Sequence, residues 1–322
     1  MNILITSAGK RVSLIEMFQK ELAIIEASSK VMTTDATPSL SAACQISDQF
    51  FKVPRIDSGD YLNIMLDICR DHDIKLLIPT IDTELLTLSE NRDSFAKIGT
   101  QVVVSDADFV KKCRDKRVIH RFFESHNVRV AAEFDKNRYK LPMFVKPADG
   151  SRSEETYIIK EEYQIKERLI AEDRFMFLEY LDLEIYDEYT CDLYYTKNGI
   201  LRCVVPRKRI EVRDGEVNKG LTKNNILVSF IKERIGNIEG VRGCLTVQFF
   251  KEKNGDGIIG IEVNPRFGGG FPLTYLSGAN YIKWILEEYL LNIEIGDKFD
   301  SWENNLLMLR YDKEVLVHGY KG

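Results

Sequence analysis

An α/β unit with a parallel sheet, followed by an α+β unit with antiparallel sheets, is the fold class that the sequence predicts. Two observations carry it. Through the first third of the chain, short and continuously apolar runs alternate with amphipathic stretches, the signature of strands buried on both faces and connected by helices. Beyond residue 187 the strand-like runs lengthen, alternate apolar with polar, and are joined at 254–257 by the hairpin turn "NGDG". With 322 residues, 44% of them hydrophobic, the chain is long enough for two or three compact units.

In order, "NILIT" opens as a short buried strand, and Val12, Leu14, Ile15, Phe18 and Leu22 give the following stretch helical spacing. "KVMTTD" and "QFFKVP" are the next strands. A helix over 61–72 leads into the apolar run "IKLLIPT", and a helix after Thr83 leads to "TQVVVSD". The texture changes near Asp106. Two short helices, 106–113 and 115–125, precede "PMFVKPADGSRSEETYII", which reads as strand, polar loop, strand. A helix over 161–172 and the strand "RFMFLEYL" follow. Then come "EYTCDLYYT", "ILRCVVPRKRIEV", a helix over 222–234, "GCLTVQFFKE" and "GIIGIEVN".

Composition narrows the function. The net charge is −5 and acids and bases are interspersed, so the basic excess of a nucleic-acid protein is missing. The six cysteines are scattered and form no CxxC pair, which reads as free thiols in a reducing compartment. Cys191 and Cys203 fall in strands and read as core. The four histidines show no ligand spacing. The opening "MNILITSAGKRVSLIEMF" has no long apolar segment, so a cytoplasmic protein without a membrane span is expected. Its turn "TSAGKR" carries one glycine, Gly9, where a dinucleotide fingerprint needs three. A nicotinamide oxidoreductase is therefore disfavoured, while a phosphate or carboxylate still fits that helix N-terminus.

The richest stretch is "GIIGIEVNPRFGGG", residues 257–270. Leu245, Val247 and Phe249 share one face of a strand, and Ile259, Ile261 and Val263 share one face of the next. Alternation gathers Thr246, Gln248 and Phe250 with Gly260, Glu262 and Asn264 on the other face. Folding at Gly255 sets Gln248 opposite Glu262, with Arg266 ending the row. Amide and carboxylate oxygens without imidazole or thiolate favour a hard cation, Mg²⁺ or Mn²⁺, and an arginine beside it suits a phosphate oxygen.

Gln248, then Glu262 and Asn264 in "EVNPR", resemble the metal-binding signature of ATP-grasp enzymes, nearest to the synthetase halves of the carbamoyl phosphate synthase large chain and the small carboxylate–amine ligases related to them. The resemblance covers most of the chain. It implies a Rossmann-like domain over 1–110, a nucleotide-lid subdomain over 111–185 and a metal-bearing subdomain over 186–322, with ATP and Mg²⁺ (or Mn²⁺) as cofactors. It also implies that Lys116 and Lys146 contact the nucleotide phosphates and that the hinge "FLEYL" binds adenine through Tyr180 and Leu181, with Glu179 beside them. Glu188 is implied to bind ribose. Arg207 and Arg209 fall where related enzymes place bases toward substrate or phosphate. Arg266 would hold an acyl phosphate, with Glu262 and Asn264 in the chemistry. The loop after Lys146 departs from the family pattern: it holds only Gly150, leaving Ser151 and Ser153 as hydroxyl donors and Arg152 as a charge.

The implied reaction joins a carboxylate to an amine, less often a thiol, through an acyl phosphate. The partners expected are small-molecule acid and amine, with no nucleic acid or membrane, and a homodimer is the expected assembly. Two alternatives stay open: a carboxylate or carbamate kinase that releases the acyl phosphate, and a non-catalytic nucleotide-binding protein. In the N-terminal unit, Thr6 to Arg11 and "PTIDTE" are candidates for the acceptor pocket, since open α/β sheets place ligands at loops after their strands. Asp82 and Glu84 fit equally well as acids at a helix N-terminus.

Overall fold

The computed structural model describes residues 1–149, 155–213 and 215–320. Strand β1 (Asn2–Ile5), helix α1 (Val12–Ile25), β2 (Val31–Asp35), α2 (Ala42–Ile46) and β3 (Gln49–Lys52) form the first half of the parallel sheet. Then α3 (Tyr61–Asp71), β4 (Ile74–Ile78), α4 (Asp82–Glu90), α5 (Arg92–Lys97) and β5 (Gln101–Val102) complete it. The order β3-β2-β1-β4-β5 reverses between β1 and β4. The crevice beyond those two strand ends, where doubly wound sheets take ligands, is walled by "TSAGKR" and "PTIDTE".

Helices α6 (Ala107–Arg114) and α7 (Lys116–Ser125) and strand β6 (Arg129–Val130) lead to a small antiparallel sheet. It holds β7 (Glu133–Phe134), β8 (Met143–Pro147), β9 (Tyr157–Ile159) and, after helix α8 (Glu167–Ala171), β10 (Phe175–Glu179), in the order β7-β10-β8-β9. The large sheet follows: β11 (Tyr186–Tyr195), β12 (Leu201–Arg213), β13 (Glu216–Thr222), helix α9 (Ile226–Ile235), β14 (Gly243–Glu252) and β15 (Ile258–Asn264). Helices α10 (Phe271–Leu276) and α11 (Tyr281–Leu290) and strand β16 (Leu307–Leu309) close the chain. Its order is β16-β13-β12-β11-β14-β15-β6, antiparallel except where β6 joins β15.

Three expectations change. The helix expected over 161–172 shrinks to α8, because Gln164 accepts the Lys160 and Glu161 N–H groups and closes a 3₁₀ turn, after which Ile165 and Lys166 run extended. The helix expected from 222 starts at Ile226. Thr222 ends β13, a polar strand, and Asn225 caps the helix by accepting from Leu227 N–H at 3.0 Å. The expected middle unit, 111–185, is divided in space. Ile119, Phe123 and Val128 pack with Phe109 into the core of the large sheet, leaving the small sheet its own core around Val145, Phe175 and Phe177.

Helices α10 and α11 weld the two main sheets. Ile5, Leu14 and Phe18 share one core with Val205, Phe267, Phe271, Tyr281 and Ile285, each full burial of a large apolar side chain contributing about 1.5–3 kcal/mol. Tyr275 donates to Glu21 of α1 at 2.5 Å, satisfying both polar groups inside that core. The crevice of the parallel sheet is thereby held against the end of β15. No helix among the described residues is long and apolar enough to cross a membrane.

Candidate active site

The β14–β15 hairpin places Gln248 opposite Glu262 and Thr246 opposite Asn264, as the spacing from the turn predicts. The amides of Gln248 and Asn264 both donate to Glu262 Oε1, at 2.8 and 2.9 Å. The alternation is broken once. Phe249 pairs with Gly260, so Ile261 is the extra residue of a β-bulge and Gly260 turns toward the core rather than toward the site. A Cβ on Gly260 would lie 2.7 Å from the Phe123 ring, which is why glycine stands there.

Two lysines from other elements bear on this carboxylate. Lys146 lies on β8, sharing its face with Met176 and next to Leu178 and Ala148, a small apolar patch. It is buried, and burial lowers its ammonium to about 8; Lys116 adds to that effect, and Glu262 and Glu133 oppose it. Lys116 opens α7, so its charge stands against the helix dipole. Burial lowers its pKa as well, opposed by Glu262, Asp149 and Asp82. On β11, Glu188 faces the same place: burial raises its pKa, Arg209 at 3.3 Å opposes the shift and Glu262 adds to it.

Arg266 makes a two-pronged pair with Asp82 across the crevice, Nε to Oδ1 at 3.0 Å and Nη2 to Oδ2 at 2.6 Å. Asp82 thus orients the arginine that ends the row. Glu84 does something else. Buried, it accepts from Thr80 N–H at 2.8 Å, Ile81 N–H at 3.2 Å and Ser7 Oγ at 2.8 Å, tying the two crevice loops together.

Arg207 is a correction. It was expected at the nucleotide, but it is 1% exposed and paired twice with Asp192, which is 0% exposed, at 2.9 and 3.0 Å. Asp192 also accepts from Thr274 at 2.5 Å and Thr246 at 3.2 Å. Arg207 and Arg209 share a strand face, but the loop before α10 covers only the first. The three glycines of that loop have no positive φ among them. They are small because added Cβ atoms at 268, 269 and 270 would meet Thr246 Oγ1 at 2.9 Å, the Glu216 carboxyl carbon at 2.6 Å and Arg207 Nη1 at 2.2 Å.

At the hinge, the Glu179 side chain is occupied by Arg129, at 2.8 and 3.0 Å. Tyr180 and Leu181 follow the last ladder residue of β10, so their peptide groups lie beyond the sheet pairing. Ser151, with Gly150, Arg152 and Ser153, lies outside the described residues.

One residue was missed by sequence reading. His120 of α7 is 6% exposed, lies by the Ile261 backbone at the bulge, and is held to about 4 by burial and by the charges of Lys146 and Lys116. Only its position one turn after Lys116 hinted at a role.

The family described as "ATP-grasp in the biosynthetic pathway with Ter operon" matches residues 171–305, and the family described as "PylC-like, N-terminal domain" matches residues 3–103. Residues 171–305 thus match an ATP-grasp family, behind an N-terminal PylC-like domain. No curated protein matches it in sequence. Among solved structures, the chain is similar to N5-carboxyaminoimidazole synthetase from Staphylococcus aureus complexed with ADP: TM-score 0.70, 15% identity, covering 92% of this chain and 78% of that one. A second is the biotin carboxylase domain dimer of Hydrogenobacter thermophilus 2-oxoglutarate carboxylase with MgADP and bicarbonate: TM-score 0.70, 12% identity, 94% and 72% covered. A third is the L-amino acid ligase from Bacillus licheniformis: TM-score 0.67, 14% identity, 90% and 74% covered. At these identities the likeness establishes the ATP-grasp fold. The expected nearness to carbamoyl phosphate synthase is only a loose relation.

In this ATP-grasp site His120 is expected to position the bulge that aims Glu262. His120→Gln keeps a polar group by the Ile261 backbone and His120→Phe does not. His120→Phe should fold and need roughly tenfold more magnesium for half-maximal ADP formation, the equivalent of about 1.4 kcal/mol, while His120→Gln stays near wild type. Equal magnesium curves for both variants would remove the positioning role.

Proposed function

We propose that this protein is an ADP-forming carboxylate–amine ligase. A substrate carboxylate oxygen takes the γ-phosphoryl group of ATP, releasing ADP and giving an acyl phosphate. An amine, less often a thiol, then attacks the acyl carbon, and phosphate leaves as the amine loses its proton. The observation that carries this reading is the convergence of Lys116, Lys146 and Glu262, from three separate elements, beside an arginine held by Asp82. Phosphoryl transfer asks for charge neutralisation and alignment rather than a protein nucleophile, and those residues supply both.

Lys146 and Lys116 would neutralise nucleotide phosphates. The apolar face of Met176 and Leu178 beside Lys146, with the hinge at Tyr180 and Leu181, would take adenine between residues 143–181 and 243–264. Glu188 would accept from ribose hydroxyls. Arg266 would hold the carboxylate and then the acyl phosphate. No set of three His, Cys, Asp or Glu side chains able to hold a metal occurs among the described residues. One carboxylate in contact with two amides nevertheless suits a hard cation that keeps several phosphate and water ligands. Gln248, Glu262 and Asn264 would hold Mg²⁺ or Mn²⁺, which when bound neutralises phosphate charge. A cytoplasmic homodimer acting on small molecules completes the proposal.

Released ADP, measured over pooled acids and amines with mass spectrometry of the products, tests the reading. An amide, or a thioester where a thiol attacks, is expected with one phosphate per ADP. Nucleotide binding without acid-dependent ADP release would overturn it.

Lys146 adds a pH signature. Between about 8 and 10.5 the unfolded chain holds this proton and the folded chain has lost it, so the Lys146 contribution to stability rises with pH across that window. Its grip on an anion fades over the same window. A bound triphosphate favours the ammonium form, so ATP binding near pH 8.5 should take up a fraction of a proton. Calorimetry in two buffers of different ionisation enthalpy reads this uptake, and Lys146→Met should abolish it. Buffer-independent heats for the wild type would show that Lys146 does not meet the phosphates.

A further inference from the structure

Between the first turn of α1 and the glycine loop lies a cavity of about 40 Å³, lined by Lys10, Arg11, Ser13, Glu216, Gly269 and Arg310 among others. A space of roughly 10–15 Å³ by this measure admits one water, so it has room for a carboxylate group. Three lining side chains are cationic and one is anionic. Against the effect of burial, Arg310, Lys10 and Arg11 together hold the Glu216 carboxylate ionised, so the wall keeps a net charge of two positive. Arg310 is fixed by Glu216 at 3.0 Å and the Gly269 carbonyl at 3.0 Å, and Arg11 by the Thr80 carbonyl at 3.0 Å. Burial first, and then the neighbouring Arg266, lower Arg11 to about 10, against the opposing effect of Glu216, Asp82 and Glu84. The first turn of α1 carries no acid and no side-chain cap, which adds to the positive potential.

Arg266 does not line this space. It is one residue before Phe267, whose carbonyl accepts from Arg11 at 3.3 Å. Arg266 donates to that same carbonyl at 3.1 Å, so the guanidinium that ends the row and the one that lines the cavity meet at a single oxygen, and a substrate carboxylate at Arg266 would have its far end on the side of the cavity.

We propose that the cavity binds a second carboxylate, so that the acid substrate of this enzyme is a dicarboxylate. This rests on the ligase reading for the role of Arg266, while the cavity itself can be tested without ATP.

The test is thermal unfolding of the full chain with succinate, glutarate or L-glutamate, each set against butyrate or L-glutamine at matched ionic strength. At least one dicarboxylate should raise the melting temperature, as a ligand of the folded state must, and its monocarboxylate partner should not. Arg310→Gln should weaken the binding at least tenfold. Lys10→Gln, at an exposed position that does not threaten folding, should weaken it in the same direction. Equal shifts with mono- and dicarboxylates, no shift with any of them, or shifts unchanged in both variants would overturn the proposal. ADP release is then measured with the same acids. Shifts that behave as expected, with no acid releasing ADP, would sink the ligase reading alone and leave the dicarboxylate site standing.

Discussion

Glu262→Gln should fold like the wild type and form ADP roughly 10²–10³-fold more slowly, the rate equivalent of a few kcal/mol of lost transition-state stabilisation. The reason is local. Glu262 is the one carboxylate in contact with Gln248 and Asn264, both of which donate to its Oε1. The charges of Lys116, Lys146 and Glu188 all respond to it. Glutamine keeps the size and some of the hydrogen bonding but removes the charge that bears on the two lysines and that would hold the proposed cation. Asn264→Ala should also slow the reaction, through one lost oxygen. A magnesium titration of ADP formation, with a melt to confirm folding, separates metal affinity from chemistry. A well-folded Glu262→Gln protein with wild-type rate and wild-type magnesium dependence would overturn the site.

The second large effect is on stability. Asp192→Ala should cost about 3–5 kcal/mol, because it strands the Arg207 guanidinium in the core. Asp192 takes both prongs of Arg207 and the hydroxyls of Thr246 and Thr274, and neither charged partner reaches solvent. Arg207 Nη1 already lacks a partner against Gly270, so the site has no acceptor in reserve to replace the carboxylate. Replacing both partners by apolar residues, Asp192→Leu with Arg207→Met, should recover most of the loss, since no buried charge is then left alone. Urea unfolding compares the three proteins. A stable Asp192→Ala chain would show that Arg207 reaches another anion. It would also reopen its placement at the nucleotide.

Much of this site was legible because strand alternation is local. A period of two puts Gln248, Glu262 and Asn264 on one face whatever surrounds them, and distance from the hairpin turn sets their register. The parallel sheet was equally legible, since a strand covered on both faces must be apolar throughout. The chemistry of the row, oxygen donors ending in arginine, needed no fold to be read.

What the sequence could not say depends on contacts between distant residues. "RKR" at 207–209 looks symmetric, yet Arg207 is buried under the loop before α10 and Arg209 lines the site, because helices sixty residues on choose which one to cover. The glycines of "FGGG" stand where they do because side chains from three other strands leave no room for a Cβ. The bulge at Ile261 breaks the local period, and His120, which lies by it, belongs to a helix with no sequence link to the hairpin. Asp82 and Glu84 stand two residues apart on one helix, and only the packing of the parallel sheet against β15 gave the first to Arg266 and the second to the crevice loops. The sequence alone determined most of the elements and the face that Gln248, Glu262 and Asn264 share, because these follow from local periodicity. The tertiary structure decided which charges are spent on one another and which remain for a ligand, because a charge's role is set by what burial brings beside it.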